Sequence, residues 1–154
     1  MNGKTLVAYF SASGVTESIA KELAQTLNAD LHEIVPVERY TDTDLNWMDK
    51  KSRSTLEMND PASRPAIAPT ALDISGYDNI LLGFPVWWYV EPRIVDTFLD
   101  SYDFTGKNII PFATSGGSSI KKSEDSLKAH CPAANWKPGK LLTRGSAAAW
   151  AKSL

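Results

Sequence analysis

Three short segments are apolar at successive positions rather than at alternate ones: Thr5-Leu6-Val7-Ala8-Tyr9-Phe10, Asn79-Ile80-Leu81-Leu82-Gly83-Phe84 and Asn108-Ile109-Ile110-Pro111-Phe112-Ala113. A strand with one wet face alternates apolar and polar residues; a strand buried on both faces has no need to. Runs of this length therefore read as strands of a parallel sheet covered on both sides. Between them the period changes. Val15, Ile19, Leu23 and Leu27 recur every four residues, with Ala20 and Ala24 on the same face. That spacing predicts an amphipathic helix over 16–28, with Asn28 as its stop. A second strand fits 30–35, closed by Pro36. A helix fits 91–101, with Pro92 in its first turn and Ile94, Val95, Phe98 and Leu99 facing inward. A weaker helix fits 118–129, a fifth strand Lys140-Leu141-Leu142-Thr143, and a last short helix 146–154. Pro111 is out of place in a strand, because it cannot donate to a ladder. Strand and helix alternate throughout, which predicts an α/β fold with a parallel sheet between two helical layers.

The chain has 154 residues, which suits one domain spanning 1–154 with a core that needs no cross-links. Residues 37–74 are its least regular part, with Pro61, Pro65 and Pro69 closely spaced; single helical turns fit near 44–48 and 54–58. A long connection of this kind is usually functional or disordered, and Trp47, Leu56 and Met58 indicate that this one packs on something. The formal net charge of −2 argues against nucleic acid as a partner, since phosphate backbones are met by basic faces. No stretch is apolar enough to span a membrane and no leader pattern opens the sequence, so a cytoplasmic protein is expected. Cys131 is the only cysteine, which rules out an internal disulfide. With His32 and His130 it cannot form a Cys2His2 zinc site, and His130-Cys131 before Pro132 reads as a helix end.

Ligands of such sheets bind beyond the carboxyl ends of the strands. Three loops of unusual composition occupy that edge. Ser11-Ala12-Ser13-Gly14-Val15-Thr16 offers three hydroxyls, a glycine for a tight turn and a helix start with unpaired amides. This suits an anion such as a phosphate, or simply a helix capped by Ser13. It has no lysine or arginine and lacks both Gly-x-x-x-x-Gly-Lys and Gly-x-Gly-x-x-Gly, so a monoester held by neutral donors fits better than a triphosphate or a dinucleotide. Pro85-Val86-Trp87-Trp88-Tyr89 places three adjacent aromatics after a buried strand, and all three cannot enter one core. Either a planar ligand stacks on them or they cover the sheet edge or a partner. Thr114-Ser115-Gly116-Gly117-Ser118 can turn its amides toward a ligand edge, or form a turn before a helix capped by Ser118 or Ser119. A phosphate seat, an aromatic platform and an amide-rich loop at one edge describe a phosphorylated planar heterocycle. No acid, base or nucleophile is arranged for catalysis, and the Gly-x-Ser-x-Gly of a hydrolase is missing.

Ser11-x-Ser13-Gly14-x-Thr16, Pro85-x-Trp87-Trp88, Pro92-Arg93 with Asp96-x-Phe98-Leu99, and Thr114-Ser115-Gly116-Gly117-Ser118 together resemble the flavodoxin family over nearly the whole chain, most closely bacterial flavodoxins with a Trp-Trp pair in the second loop. The resemblance implies a three-layer sandwich around a five-stranded parallel sheet of order 2-1-3-4-5. It implies FMN, with phosphate contacts from Ser11, Ala12, Ser13, Gly14, Val15 and Thr16. It implies ring contacts from Pro85, Val86, Trp87, Trp88 and Tyr89, and from Thr114, Ser115, Gly116 and Gly117. The stretches Asn46-Trp47, Ser52-Arg53-Ser54 and Glu57-Met58-Asn59-Asp60 also look like the equivalent segment of these relatives, and it is expected to pack near the flavin. The implied role is one-electron transfer between redox proteins, such as a flavodoxin reductase, by a monomer or weak dimer. The alternative is an NAD(P)H-dependent quinone or nitro reductase. Two departures stand out. Val15 replaces a common asparagine, and Tyr89 stands where many relatives have glycine. A peptide beside the flavin flips on reduction in this family; at Tyr89 a positive φ would cost energy that glycine avoids.

Overall fold

The computed structural model describes residues 2–115 and 117–154. In chain order the elements are β1 (Thr5–Tyr9), α1 (Val15–Leu27), β2 (Asp30–Glu33), α2 (Arg53–Met58), β3 (Asn79–Pro85), α3 (Arg93–Ser101), β4 (Asn108–Thr114), α4 (Lys121–His130), β5 (Asn135–Trp136), β6 (Lys140–Leu141) and α5 (Ala147–Ser153). The sheet is parallel in the order β2-β1-β3-β4-β5, and β6 also pairs with β4. Alternate residues of the buried strands feed two cores. Leu6, Ala8, Phe10, Ile80, Leu82 and Phe84 pack with Ile94, Val95 and Phe98 of α3 and Leu127 of α4. Val7, Tyr9, Leu81, Ile110 and Phe112 pack with Ile19 and Leu23 of α1 and Ala147 and Ala151 of α5. The three-layer α/β sandwich expected from the sequence is therefore the observed architecture.

Several boundaries are set by backbone chemistry. Asn28 ends α1 at φ 51°, a left-handed conformation that asparagine tolerates. Gly83 is required by close packing: a Cβ there would lie 2.2 Å from the Phe112 ring. The second strand ends at Glu33, two residues short of the expectation. Pro92 caps α3 from outside instead of standing in its first turn. The weaker helix starts late, at Lys121, with Ile120 as N-cap, so neither Ser118 nor Ser119 caps it.

The fifth strand differs from the expectation more instructively. The ladder beside β4 is split into β5 and β6, and only Lys140 and Leu141 of the expected segment are strand. Lys137 N–H donates to the Ile109 carbonyl at 2.9 Å and Leu142 N–H to the Ala113 carbonyl at 2.8 Å. Backbone polar groups alternate sides along a strand, so Pro111, midway between these two, turns its nitrogen toward the same neighbour. A strand facing Pro111 finds no donor there, and the ladder is interrupted at that point. On the other side Pro111 stays in register with Leu82 of β3. Residues 37–74 are tied onto the domain, with Met58 buried, but Trp47 and Leu56, expected to pack, are exposed. Val37 N–H donates to Ala66 O at 2.9 Å, Ala68 N–H to Val35 O at 2.7 Å, and Arg64 pairs with Asp100 at 2.8 Å.

Candidate functional site

Beyond β1 the chain leaves the sheet at Ser11, whose Oγ accepts from Gly14 N–H at 3.1 Å. Gly14 lies at φ 94° and is itself the N-cap of α1, with no side chain bonded to the cap; Ser13 does not cap the helix. The open first turn keeps its amides and its positive dipole end available. Thr16 is buried, and its Oγ1 lies 2.8 Å from Thr114 Oγ1 at the end of β4. Two hydroxyls sharing one hydrogen bond retain one O–H donor between them. The expected hydroxyl of Thr16 is thus mainly a tie between the first and third loops.

The second loop is a two-residue hairpin. Trp87 N–H donates to Val90 O at 2.9 Å and Val90 N–H to Trp87 O at 3.1 Å. Its central residues, Trp88 at φ 46° and Tyr89 at φ 73°, are both left-handed, the pattern of a type I′ turn. Such turns favour Asn and Gly, and a non-glycine residue there costs about 1–2 kcal/mol. The three aromatics separate. Trp87 packs edge-on against Phe10 and Tyr40, with centroids 5.7 and 5.4 Å away. Trp88 is 38% exposed and Tyr89 59%. Helix α4 holds the turn, with Ser123 Oγ donating to Tyr89 O at 3.2 Å and Lys122 Nζ 4.8 Å from the Tyr89 ring centroid.

In the third loop Ser115 Oγ accepts from Gly117 N–H at 3.1 Å and from Ser118 N–H at 2.8 Å. Of the two readings of this loop, these two amides follow the turn: both are directed at Ser115. Gly116 lies outside the described residues.

Two adjoining cavities result. One, of about 800 Å³, is lined by Trp47, Trp87, Trp88, Tyr89, Ser115 and Gly117, among others. The other, of about 670 Å³, is lined by Ser13, Val15, Thr114, Ser115, Thr143 and Arg144, among others. They share Ser13, Pro85, Val86, Trp87 and Ser115. Ala12 lines the first cavity; Ser11, Gly14 and Thr16 line neither, Ser11 bonding the Gly14 amide and Thr16 the Thr114 hydroxyl. The segment 37–74 contributes Leu45, Trp47 and Ser54. The loop Leu142–Gly145 is a fourth contributor that the sequence reading missed. Its signal was there: Thr143, Gly145 and Ser146 follow an apolar pair, as small and polar residues follow the other strands.

Two polar clusters brace the walls. The Tyr40 hydroxyl donates to Glu57 Oε1, Arg53 Nε bonds Glu57 Oε2 at 2.9 Å, and the Arg53 guanidinium lies 3.8 Å from the Tyr40 ring centroid. Burial, then the bond to Glu57, pushes the Tyr40 phenol well above its ordinary range. Behind the hairpin, Glu91 and Asp96 are both buried, and Glu91 Oε1 and Asp96 Oδ1 have no donor from other described residues. A proton on Glu91 gives its carboxyl a donor toward Asp96. Burial first, then the hydrogen bond to Asp96, pushes Glu91 up to about 9. Ser126 Oγ donates to Glu91 Oε2 at 3.1 Å. Arg93 Nη1 lies 3.9 Å from Asp96, while Nη2 donates to the Met58 carbonyl at 2.8 Å. Among the described residues no group of His, Cys, Asp or Glu could hold a metal, and no helix is long and apolar enough to cross a membrane.

A family model described as flavodoxin matches residues 4–153. The chain belongs to the flavodoxin family. Flavodoxin-family membership accounts for the strand order. Two solved structures resemble it over almost their full lengths. A putative flavoprotein from Bacteroides uniformis is 48% identical, with 99% of each chain covered and a TM-score of 0.93. A putative flavoprotein from Bacteroides eggerthii is 46% identical, with 99% of this chain and 98% of the other covered and a TM-score of 0.93. A flavoprotein from Lactobacillus acidophilus, solved in complex with FMN, shares the fold at 24% identity and a TM-score of 0.77, with 97% of this chain and 99% of the other covered. No curated protein matches the sequence.

Proposed function

We propose that this flavodoxin-family protein binds FMN and works as a one-electron carrier between redox proteins. The observation that carries the reading is the junction of an uncapped helix start with an aromatic-walled cavity through Ser13 and Ser115. The donors at one end suit a phosphate monoester, and the walls at the other suit a tricyclic ring. The FMN-bound Lactobacillus relative, with the same fold, supports the choice of ligand. Bound FMN would supply the redox chemistry. The chain's own residues do the rest. Ser13 and the first-turn amides hold the phosphate. Trp88 and Tyr89, with Trp47 of the same cavity, take the ring. Trp47 and Tyr89, 70% and 59% exposed, leave an apolar rim at which a partner such as a flavodoxin reductase would dock.

The first test is a spectrum of the purified protein and a titration of its flavin-free form with FMN. No yellow chromophore and no binding of added FMN would sink the proposal. Stopped-flow reduction tests the role. Reduction only through a partner reductase is expected; fast direct reduction by NADPH would assign a quinone or nitro reductase instead.

A further inference from the structure

Four of the five arginines are held by acceptors of the protein itself. Arg39 lies 3.9 Å from Glu33, Arg53 2.9 Å from Glu57 and Arg64 2.8 Å from Asp100, and Arg93 donates to the Met58 carbonyl at 2.8 Å. Arg144 differs. Among the described residues it has no hydrogen-bond or ion-pair partner, and it is the one charged side chain lining either cavity. Its loop is not a loose tether. Leu142 is buried and donates its N–H to Ala113 O at 2.8 Å. Thr143 N–H donates to Ser146 Oγ at 2.9 Å, and Ser146 N–H returns to Thr143 O at 3.1 Å. The turn fixes Arg144 beside the cavity it shares with Ser13, Val15 and Ser115.

We infer that Arg144 supplies the cationic contact to the phosphate seated at Ser11–Thr16, an inference that rests on the FMN reading above. A phosphate monoester carries about −1.5 to −2 charges at neutral pH. The 11–16 loop has only neutral donors, and no acidic side chain lines the cavity. A guanidinium matches phosphate oxygens with two parallel N–H groups and keeps its charge at any working pH. The charge that the loop lacks is thus delivered across the sheet edge from the segment after β6.

The experiment titrates the flavin-free wild type, R144Q and R144K with FMN and with riboflavin, which has the same ring and no phosphate. R144Q should weaken FMN roughly 10- to 100-fold, the effect of losing one charge-assisted bond. Riboflavin affinity should stay within about twofold, since the uncharged ligand makes no ionic contact. R144K should fall between wild type and R144Q. Raising the salt should weaken FMN on the wild type and leave R144Q nearly insensitive. Unchanged FMN affinity in R144Q, or an equal loss for FMN and riboflavin, overturns the inference while leaving the FMN reading intact. A wild type that binds no FMN overturns both.

Discussion

The 11–16 loop and the 87–90 hairpin both hold backbone at positive φ, Gly14 at 94° in the first and Trp88 at 46° and Tyr89 at 73° in the second. The first uses the residue that adopts this conformation freely; the second uses two of the largest side chains. Their anchors differ as well. The first loop is tied by neutral hydroxyls, Thr16 to Thr114, whereas the hairpin leads into a buried carboxyl pair, Glu91 and Asp96. A relaxed loop beside a strained one indicates that the aromatics are kept where they are for what they face, against the preference of their own backbone.

The carboxyl anchor gives the largest expected effect, and it separates the two regions by pH. Glu91 is raised from 4.5 to about 9, so folding favours its protonated form. The stability this contributes is complete below pH 4.5 and is lost as pH rises toward 9. Wild type should lose on the order of 4 kcal/mol between pH 5 and 8.5 relative to Glu91→Gln, whose amide copies the neutral acid and does not titrate. Urea unfolding of both proteins across that range measures it. Parallel curves would show that the pair is ionised and solvated in the folded state. The 11–16 loop has no titratable side chain and should add no slope.

The backbone contrast predicts opposite signs for the same kind of exchange. Gly14→Ala places its Cβ in open space, so only the positive φ opposes it, and it should cost about 1–2 kcal/mol. Tyr89→Gly releases strain. It should stabilise the flavin-free protein by about 1 kcal/mol, less the cation–π contact with Lys122, and weaken flavin binding. Denaturation midpoints at unchanged m-value test both. A destabilised Tyr89→Gly would mean that the ring's packing outweighs its backbone strain.

These same residues show what could be read in advance. The buried strands and α1 were legible because successive apolar residues and a four-residue period need no knowledge of neighbours. The aromatic loop stood out by composition. Its turn type did not, since Trp and Tyr are poor residues for a type I′ turn and nothing local predicts them there. The interruption at Pro111 falls on a different strand from the one it breaks, so only the pairing reveals it. Arg144 stands far along the chain from Ser13 and meets it only through the order of the strands. The amides of Gly117 and Ser118 were open to either reading because the sequence does not show where the Ser115 hydroxyl turns.

The smallest effect concerns the residue at which the two regions join. Thr114 bonds Thr16 through its side chain and accepts from Val86 N–H through its carbonyl at 2.9 Å, so it touches the phosphate loop and the root of the hairpin together. Thr16→Val and Thr114→Val keep shape and remove the hydroxyl. Each leaves its partner's oxygen buried with one bond fewer and should cost about 1 kcal/mol. The double variant removes both polar groups and should cost little more than either single one, a coupling of about 0.5–1 kcal/mol in a double-mutant cycle. The carbonyl contact survives in all three, so the hairpin's pH slope through Glu91 should be unchanged. Strict additivity would mean that the two hydroxyls act separately and that the loops are held together by the sheet alone.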